Sequence, residues 1–156
     1  MAARFRAAID GGSRGNPGLA AWGVAVLDAK GRCIEGHAGT IGHATNNIAE
    51  YSALLEALER AAAAGAGEVE IRADSELVVR QIEGRYKVRH PGLIPLHAEA
   101  KRRIARFRSF RIVHVPRKDN GDADRLVNLA LDRAEKGRPG EAVRVLVVPE
   151  SPADGA

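Results

Sequence analysis

Four acidic residues stand where acids are costly, and their placement suggests one chemistry. Asp10 closes the alternating run "RFRAAID", with Phe5, Ala7 and Ile9 on one face and the acid on the opposite parity. Asp74 closes "EVEIRAD" in the same way behind Val69, Ile71 and Ala73. Glu50 lies four residues before Leu54, and Asp124 three before Val127, so both fall on the apolar face of a helix near its start. An inward-facing acid costs free energy unless something pairs it. Each acid has a local alternative. Asp10 can open a turn at Gly11 and Gly12, and Glu50 can complete a capping box with Asn47. Asp74 can neighbour an N-cap, and Asp124 can favour a helix dipole. Jointly these alternatives fare worse, because four separate elements each present one acid to a common crevice. Clustered carboxylates repel unless a cation joins them. No matching His or Cys set accompanies them, which favours Mg²⁺ or Mn²⁺ over zinc. Two such ions, about 4 Å apart, are equipped to activate water and stabilise the leaving oxygen of an in-line attack on phosphorus.

The elements that must hold these acids are legible in outline. "RFRAAID", "AAWGVAVLD" and "GRCIEGHAGTI" read as three strands of a meander. "TNNIAEYSALLEALERAAAAGAG" changes to helical spacing, with N-cap side chains at Thr45 to Asn47 and a stop at Gly65. A strand over "EVEIRAD" leads into a short helix capped by Ser75 and closed by Gly84. "PGLIPLHAEAKRRIARF" is a further helix, "FRIVHVP" a strand, and "NGDADRLVNLALDRAEKG" a last amphipathic helix. Alternation of strand and helix favours parallel pairing and an α/β layer arrangement, with the two strand-end acids at the edge where open sheets bind ligands. Val143 to Val148 form a β-like stretch in the tail, which can add an edge strand, pack on the domain or contact another molecule.

At 156 residues the chain is read as one folded, soluble domain. No apolar run is long enough to span a bilayer and no secretory pattern opens the chain, so the expectation is a cytoplasmic protein without membrane association. The single cysteine, Cys33, is expected to be structural. The net charge is +4, with Lys and Arg clustered at 84 to 90, 101 to 111 and 116 to 119. Such clusters suit a polyanion or a solvated helix face.

In order and spacing, "DGGSRGNPG", "NNIAEY", "ADSELVV" and "ADRLVN" resemble the type 1 ribonuclease H family over residues 4 to 136. The resemblance implies a central mixed five-stranded sheet flanked by helices and a catalytic domain over 1–137; the tail over 138–156 lies outside it and is expected to add a strand and then be disordered. It implies an endonuclease that cuts the RNA strand of RNA/DNA hybrids with two divalent metals, leaving 5′-phosphate and 3′-hydroxyl ends; a monomer is expected. Asp10, Glu50, Asp74 and Asp124 would be the metal-binding catalytic carboxylates. Gly11, Gly12, Ser13, Asn16, Thr45, Asn46, Asn47 and Glu76 would contact the hybrid, whose minor groove exposes 2′-hydroxyls. The alternatives are a non-catalytic module that binds hybrid or double-stranded RNA, and a DNA nuclease of the same fold. Two departures stand out. The basic, Trp-rich handle of bacterial members is missing, leaving Arg85, Lys87 and Arg89 or the 101 to 106 cluster to grip substrate. The loop before Asp124 has no His, so Arg117, Lys118, Asp119 or Asn120 would replace it.

Overall fold

The computed structural model describes residues 3–149. Strand β1 (Ala3–Arg14) sends Phe5, Ala7 and Ile9 into one core and Ala8 into another, as its alternation requires. β2 (Gly18–Leu27) and β3 (Cys33–Ala44) follow as the expected antiparallel meander. Helix α1 (Asn46–Ala63) then crosses to β4 (Ala66–Ala73), which lies parallel to β1. α2 (Glu76–Ile82) and α3 (Ile94–Ile104) lead to β5 (Ser109–His114), parallel to β4. A single 3₁₀ turn at Arg117–Asp119 precedes α4 (Gly121–Lys136). On one face, Tyr51, Leu54 and Leu58 of α1 and Val78 of α2 pack on Ile9 and Ile71. On the other, Leu126, Val127 and Leu131 of α4 pack on Ala8, Ala21 and Ala25. No helix among the described residues is long and apolar enough to cross a membrane.

The sheet has six strands, in the order β5-β4-β1-β2-β3-β6, where five were expected. The sixth comes from the tail. After α4 a turn closes with Glu141 N–H donating to the Arg138 carbonyl at 3.1 Å, and Val143 N–H donates to Thr40 Oγ1 at 2.9 Å. β6 (Arg144–Val147) then pairs antiparallel with β3 from Gly39↔Arg144 to Gly36↔Val147. Val145 is buried in the α4-side core. The Arg144 guanidinium lies 5.6 Å from the Trp22 ring centroid and 3.2 Å from Glu56 of α1, so the tail is fastened to both faces. A chain ended at Gly137 is expected to lose about 2 kcal/mol or more and to melt several degrees lower, which a thermal scan measures. The expected disorder of the chain end concerns residues 150–156, which lie outside the described ones.

β1 is also longer than its alternation predicts. The pattern ends the strand at Asp10, yet Asp10 to Arg14 continue in register with Gly23 to Leu19 of β2. Gly11 and Gly12 are therefore strand residues, and Asp10 does not open a turn there.

Candidate active site

Asp10 sits where β1 loses a neighbour. Through Ile9↔Ala73 the strand has β4 on one side; beyond that pair only β2 accompanies it. Asp74, the first residue past β4, comes close to Asp10 at this step.

Two glycines bring helices onto the same point. A Cβ on Gly11 would lie 2.2 Å from the Ala49 carbonyl carbon and 2.4 Å from Glu50 N, so the α1 backbone rests directly on β1. Gly23 stands opposite Asp10 on β2, and a Cβ there would lie 2.7 Å from the Ala123 carbonyl oxygen of α4. Close packing leaves no room to absorb such overlaps without moving backbone. Gly11→Ala is accordingly expected to lift α1 from β1 and cost about 3 kcal/mol. It should also cancel any rise in melting temperature on adding divalent cation, which thermal scans with and without the ion will show.

The result is a compact acidic group. Carboxylate oxygens of Asp10, Glu50 and Asp74 all lie within 4.8 Å of one another. Asp10 and Glu50 are each 7% exposed, and Glu50 Oε2 is fully buried with no hydrogen-bond partner among the described residues. Burial, and then the Asp74 charge, push the Asp10 carboxyl up to about 7. Burial, followed by the charges of Asp10 and Asp74, pushes Glu50 well above the usual carboxylate range. An all-oxygen set with one orphaned buried oxygen fits a hard divalent cation, which would relieve the mutual repulsion of the acids.

The capping-box alternative for Glu50 does not hold. Thr45 is the N-cap of α1, its Oγ1 accepting from Ile48 N at 3.2 Å, so Glu50 is free to face Asp10. Asp124 stands outside the group of three, although its charge still raises Asp10. The residue pressed onto β2 is Ala123, and Asp124 lies about 100° further round the helix.

Asn120, offered by the sequence as one replacement for a loop histidine, has another place. It is 1% exposed, and its Nδ2 donates to the Ile9 carbonyl at 2.8 Å and to Asp74 Oδ2 at 3.0 Å. It ties the loop before α4 to β1 and to one of the clustered acids. Arg117 and Lys118 of that loop remain exposed.

Several of the polar residues expected at the nucleic-acid face are joined to one another. Ser13 N–H donates to Asn46 Oδ1 at 2.8 Å, the Ser13 hydroxyl donates to the same oxygen at 3.1 Å, and Asn46 N–H donates to Asn16 Oδ1 at 3.1 Å. Asn47 is exposed beside them, and Gly12 meets only Val127 at ordinary contact distance. Glu76 is exposed and paired with Arg80 at 3.6 Å. Of the basic candidates, Lys101 Nζ donates to the Ile82 carbonyl at 3.1 Å and Arg103 to the Leu55 carbonyl at 3.0 Å, so these two staple helices together. Burial pushes the Cys33 thiol up, which keeps it protonated and agrees with a structural role.

A mixed sheet of this order, with carboxylates grouped where parallel pairing stops, defines the ribonuclease H-like class of folds. A family model described as reverse transcriptase-like matches residues 8–130. A Mycobacterium tuberculosis protein described as bifunctional is 43% identical over 145 residues, covering 92% of this chain and 40% of the relative's own length. The crystal structure of RNase H1 from the halophilic archaeon Halobacterium salinarum superposes with a TM-score of 0.81 at 44% identity, covering 85% of this chain and 100% of that one. LC11-RNase H1, solved in complex with an RNA/DNA hybrid, gives a TM-score of 0.79 at 43% identity over 84% and 99% of the two chains. The chain belongs to the type 1 ribonuclease H family of nucleases.

Proposed function

We propose that this protein is an endonuclease that hydrolyses the RNA strand of RNA/DNA hybrids, using two divalent cations, Mg²⁺ or Mn²⁺, and leaving 5′-phosphate and 3′-hydroxyl ends. The observation that carries this reading is the close group of Asp10, Glu50 and Asp74, the first two buried, with its orphaned Glu50 oxygen, beside the joined Ser13, Asn16 and Asn46. Two bound cations supply an activated water and neutralise charge developing on the phosphate and the leaving oxygen. Asp10, Glu50 and Asp74 hold them, and Asp124 completes the set from the first turn of α4. The hybrid lies over Gly12, Ser13 and Asn16, with Asn46 and Asn47 facing base edges and 2′-hydroxyls, whereas Gly11, expected to join them, is covered by α1. Thr45, while capping α1, keeps its hydroxyl proton for a DNA phosphate, and Glu76 borders the same groove. The catalytic unit is 1–137, and the tail strand braces it. We place the enzyme in the cytoplasm as a monomer.

Substrate grip falls to the segment after α2. Lys101 and Arg103 are spoken for, Arg102 lies 3.5 Å from Glu99 and Arg85 3.7 Å from Glu83, and Arg106 borders Glu59 and Ala62 at the far end of α1, whereas Lys87 and Arg89 are exposed and form no ion pair among the described residues. That segment returns to the first turn of α1: a Cβ on Gly92 would lie 3.9 Å from Ile48 Cδ1. Lys87→Ala with Arg89→Ala is expected to weaken hybrid binding and lower the slope of log K against log salt by about 2, with kcat at saturation unchanged. An unaltered slope would assign the grip elsewhere.

The reading is tested by incubating the protein with end-labelled RNA/DNA, RNA/RNA and DNA/DNA duplexes in Mg²⁺, Mn²⁺ or chelator. Metal-dependent cutting confined to hybrid RNA is the expected result. Binding without cutting would favour a non-catalytic module, and cutting of DNA/DNA a nuclease of the other specificity.

A further inference from the structure

Asp124 is the one proposed ligand that stands outside the close group of three, so its carboxylate needs another support. β1 ends on Arg14, whose guanidinium reaches across to α4. It lies 2.7 Å from Asp132 Oδ1 and 2.8 Å from Glu135 Oε1, and it also donates to Asn128 Oδ1 at 3.3 Å. Asn128 in turn donates from Nδ2 to the Asp124 carbonyl at 3.1 Å and lies 3.5 Å from Asp124 Oδ2.

The order of these contacts matters. A primary amide presents a donor on one arm and an acceptor on the other, and it can face either way round. A cation on one side settles the choice: Arg14 draws the amide oxygen to itself and leaves the NH₂ group facing Asp124. Turned over, the amide would set its oxygen against the carboxylate and repel it. Asp132 and Glu135 hold the guanidinium in the position that makes the choice, and the hydrogen bonds it gives to Glu135 and then Asp132 push the Arg14 pKa up.

We infer that Arg14 and Asn128 form a positioning relay that orients Asp124 toward its role beside the three clustered acids; this rests on the reading of the site as a divalent-cation nuclease centre. The strand that carries Asp10 thereby also sets the fourth carboxylate, through its last residue. Neither relay residue touches substrate or ion. Arg14 adjoins Ser13 in the proposed hybrid-contact segment, so the support of Asp124 begins where the nucleic acid is seated.

The test compares wild type with Asn128→Ala, Arg14→Lys and the double variant. Mn²⁺ binding to the free protein is measured by calorimetry, the Mg²⁺ dependence of hybrid cleavage by titration, and the melting temperature in chelator. Asn128→Ala is expected to weaken Mn²⁺ binding and raise the half-saturating Mg²⁺ concentration roughly tenfold, with KM for the hybrid and the melting temperature close to wild type. Arg14→Lys should do the same, because an ammonium cannot hold three acceptors in the guanidinium's planar geometry. The double variant should be no worse than either single one, as expected of residues acting in series. Wild-type cation binding in Asn128→Ala, additive losses, or a loss confined to melting temperature or hybrid KM would overturn the relay. Failure of the wild type to cut any hybrid would refute the nuclease reading instead, and the calorimetric comparison would still judge the relay.

Discussion

Asp10→Asn will raise the melting temperature of the metal-free protein at pH 8 and abolish metal-dependent cleavage. The Asp10 carboxyl is pushed from 3.8 to about 7 by burial and by Asp74. A group whose folded pKa exceeds its unfolded one binds its proton more tightly in the folded state. Its contribution is therefore fully present at acid pH and is lost as pH rises through about 7. Above that pH the ionised side chain destabilises the fold by on the order of 4 kcal/mol relative to its protonated form. Asparagine keeps the shape without the charge, so a rise of roughly 5–10 °C is expected in chelator at pH 8. The gain should shrink toward acid pH, where wild-type Asp10 carries its proton. Adding Mg²⁺ should lift the wild type and leave the variant nearly unmoved, since the variant lacks the ligand. Equal midpoints in chelator at pH 8 would argue against the close grouping of acids, and surviving cleavage would remove Asp10 from the metal set.

The same substitution shows why sequence could locate this residue and still misjudge its surroundings. Parity along "RFRAAID" and "EVEIRAD" was enough to place Asp10 and Asp74 at one edge of a sheet, because side chains alternate whatever the tertiary context. Spacing against Leu54 was enough to turn Glu50 inward. What alternation cannot report is which neighbours a strand has. The continuation of β1 from Asp10 to Arg14 depends on pairing with β2 alone, so a Gly-rich run that looked like a turn is strand. The sixth strand likewise exists because Thr40 and Val143 exchange hydrogen bonds across more than a hundred residues of chain.

The glycines carry the other lesson. Gly11 suggested a surface kept low for nucleic acid, yet its α-hydrogen faces the backbone of Ala49 and Glu50, and the space a side chain would need is filled by helix. Gly23 gave no local signal, although it is the residue that lets α4 settle against the partner of Asp10. Close approach is a property of two elements, and only one of them is visible in any short stretch of sequence. The basic clusters behaved similarly: Lys101 and Arg103 share the composition of a polyanion site, but each ends on a main-chain carbonyl of a neighbouring helix.

Asn120 yields the second large effect, because a single buried amide holds β1 to the acid that follows β4. Removing it in Asn120→Ala leaves the Ile9 carbonyl without that donor and Asp74 Oδ2 without its tie, and should cost about 2–3 kcal/mol. With Asp74 free to swing, kcat for hybrid cleavage should fall about 10–100-fold. KM for the hybrid should hardly change, since a residue 1% exposed does not meet substrate. Asn120→Asp separates orientation from packing. It fills the same space but offers acceptors to the Ile9 carbonyl and to Asp74, so it must bind a proton to be tolerated in the fold. Its folded pKa is then raised, and by the sign applied to Asp10 its stability should recover as pH falls, whereas the alanine variant should show no such recovery. Thermal scans across pH, paired with steady-state kinetics, distinguish the two. An alanine variant that melts lower yet keeps wild-type kcat would mean that Asn120 joins strands without orienting Asp74.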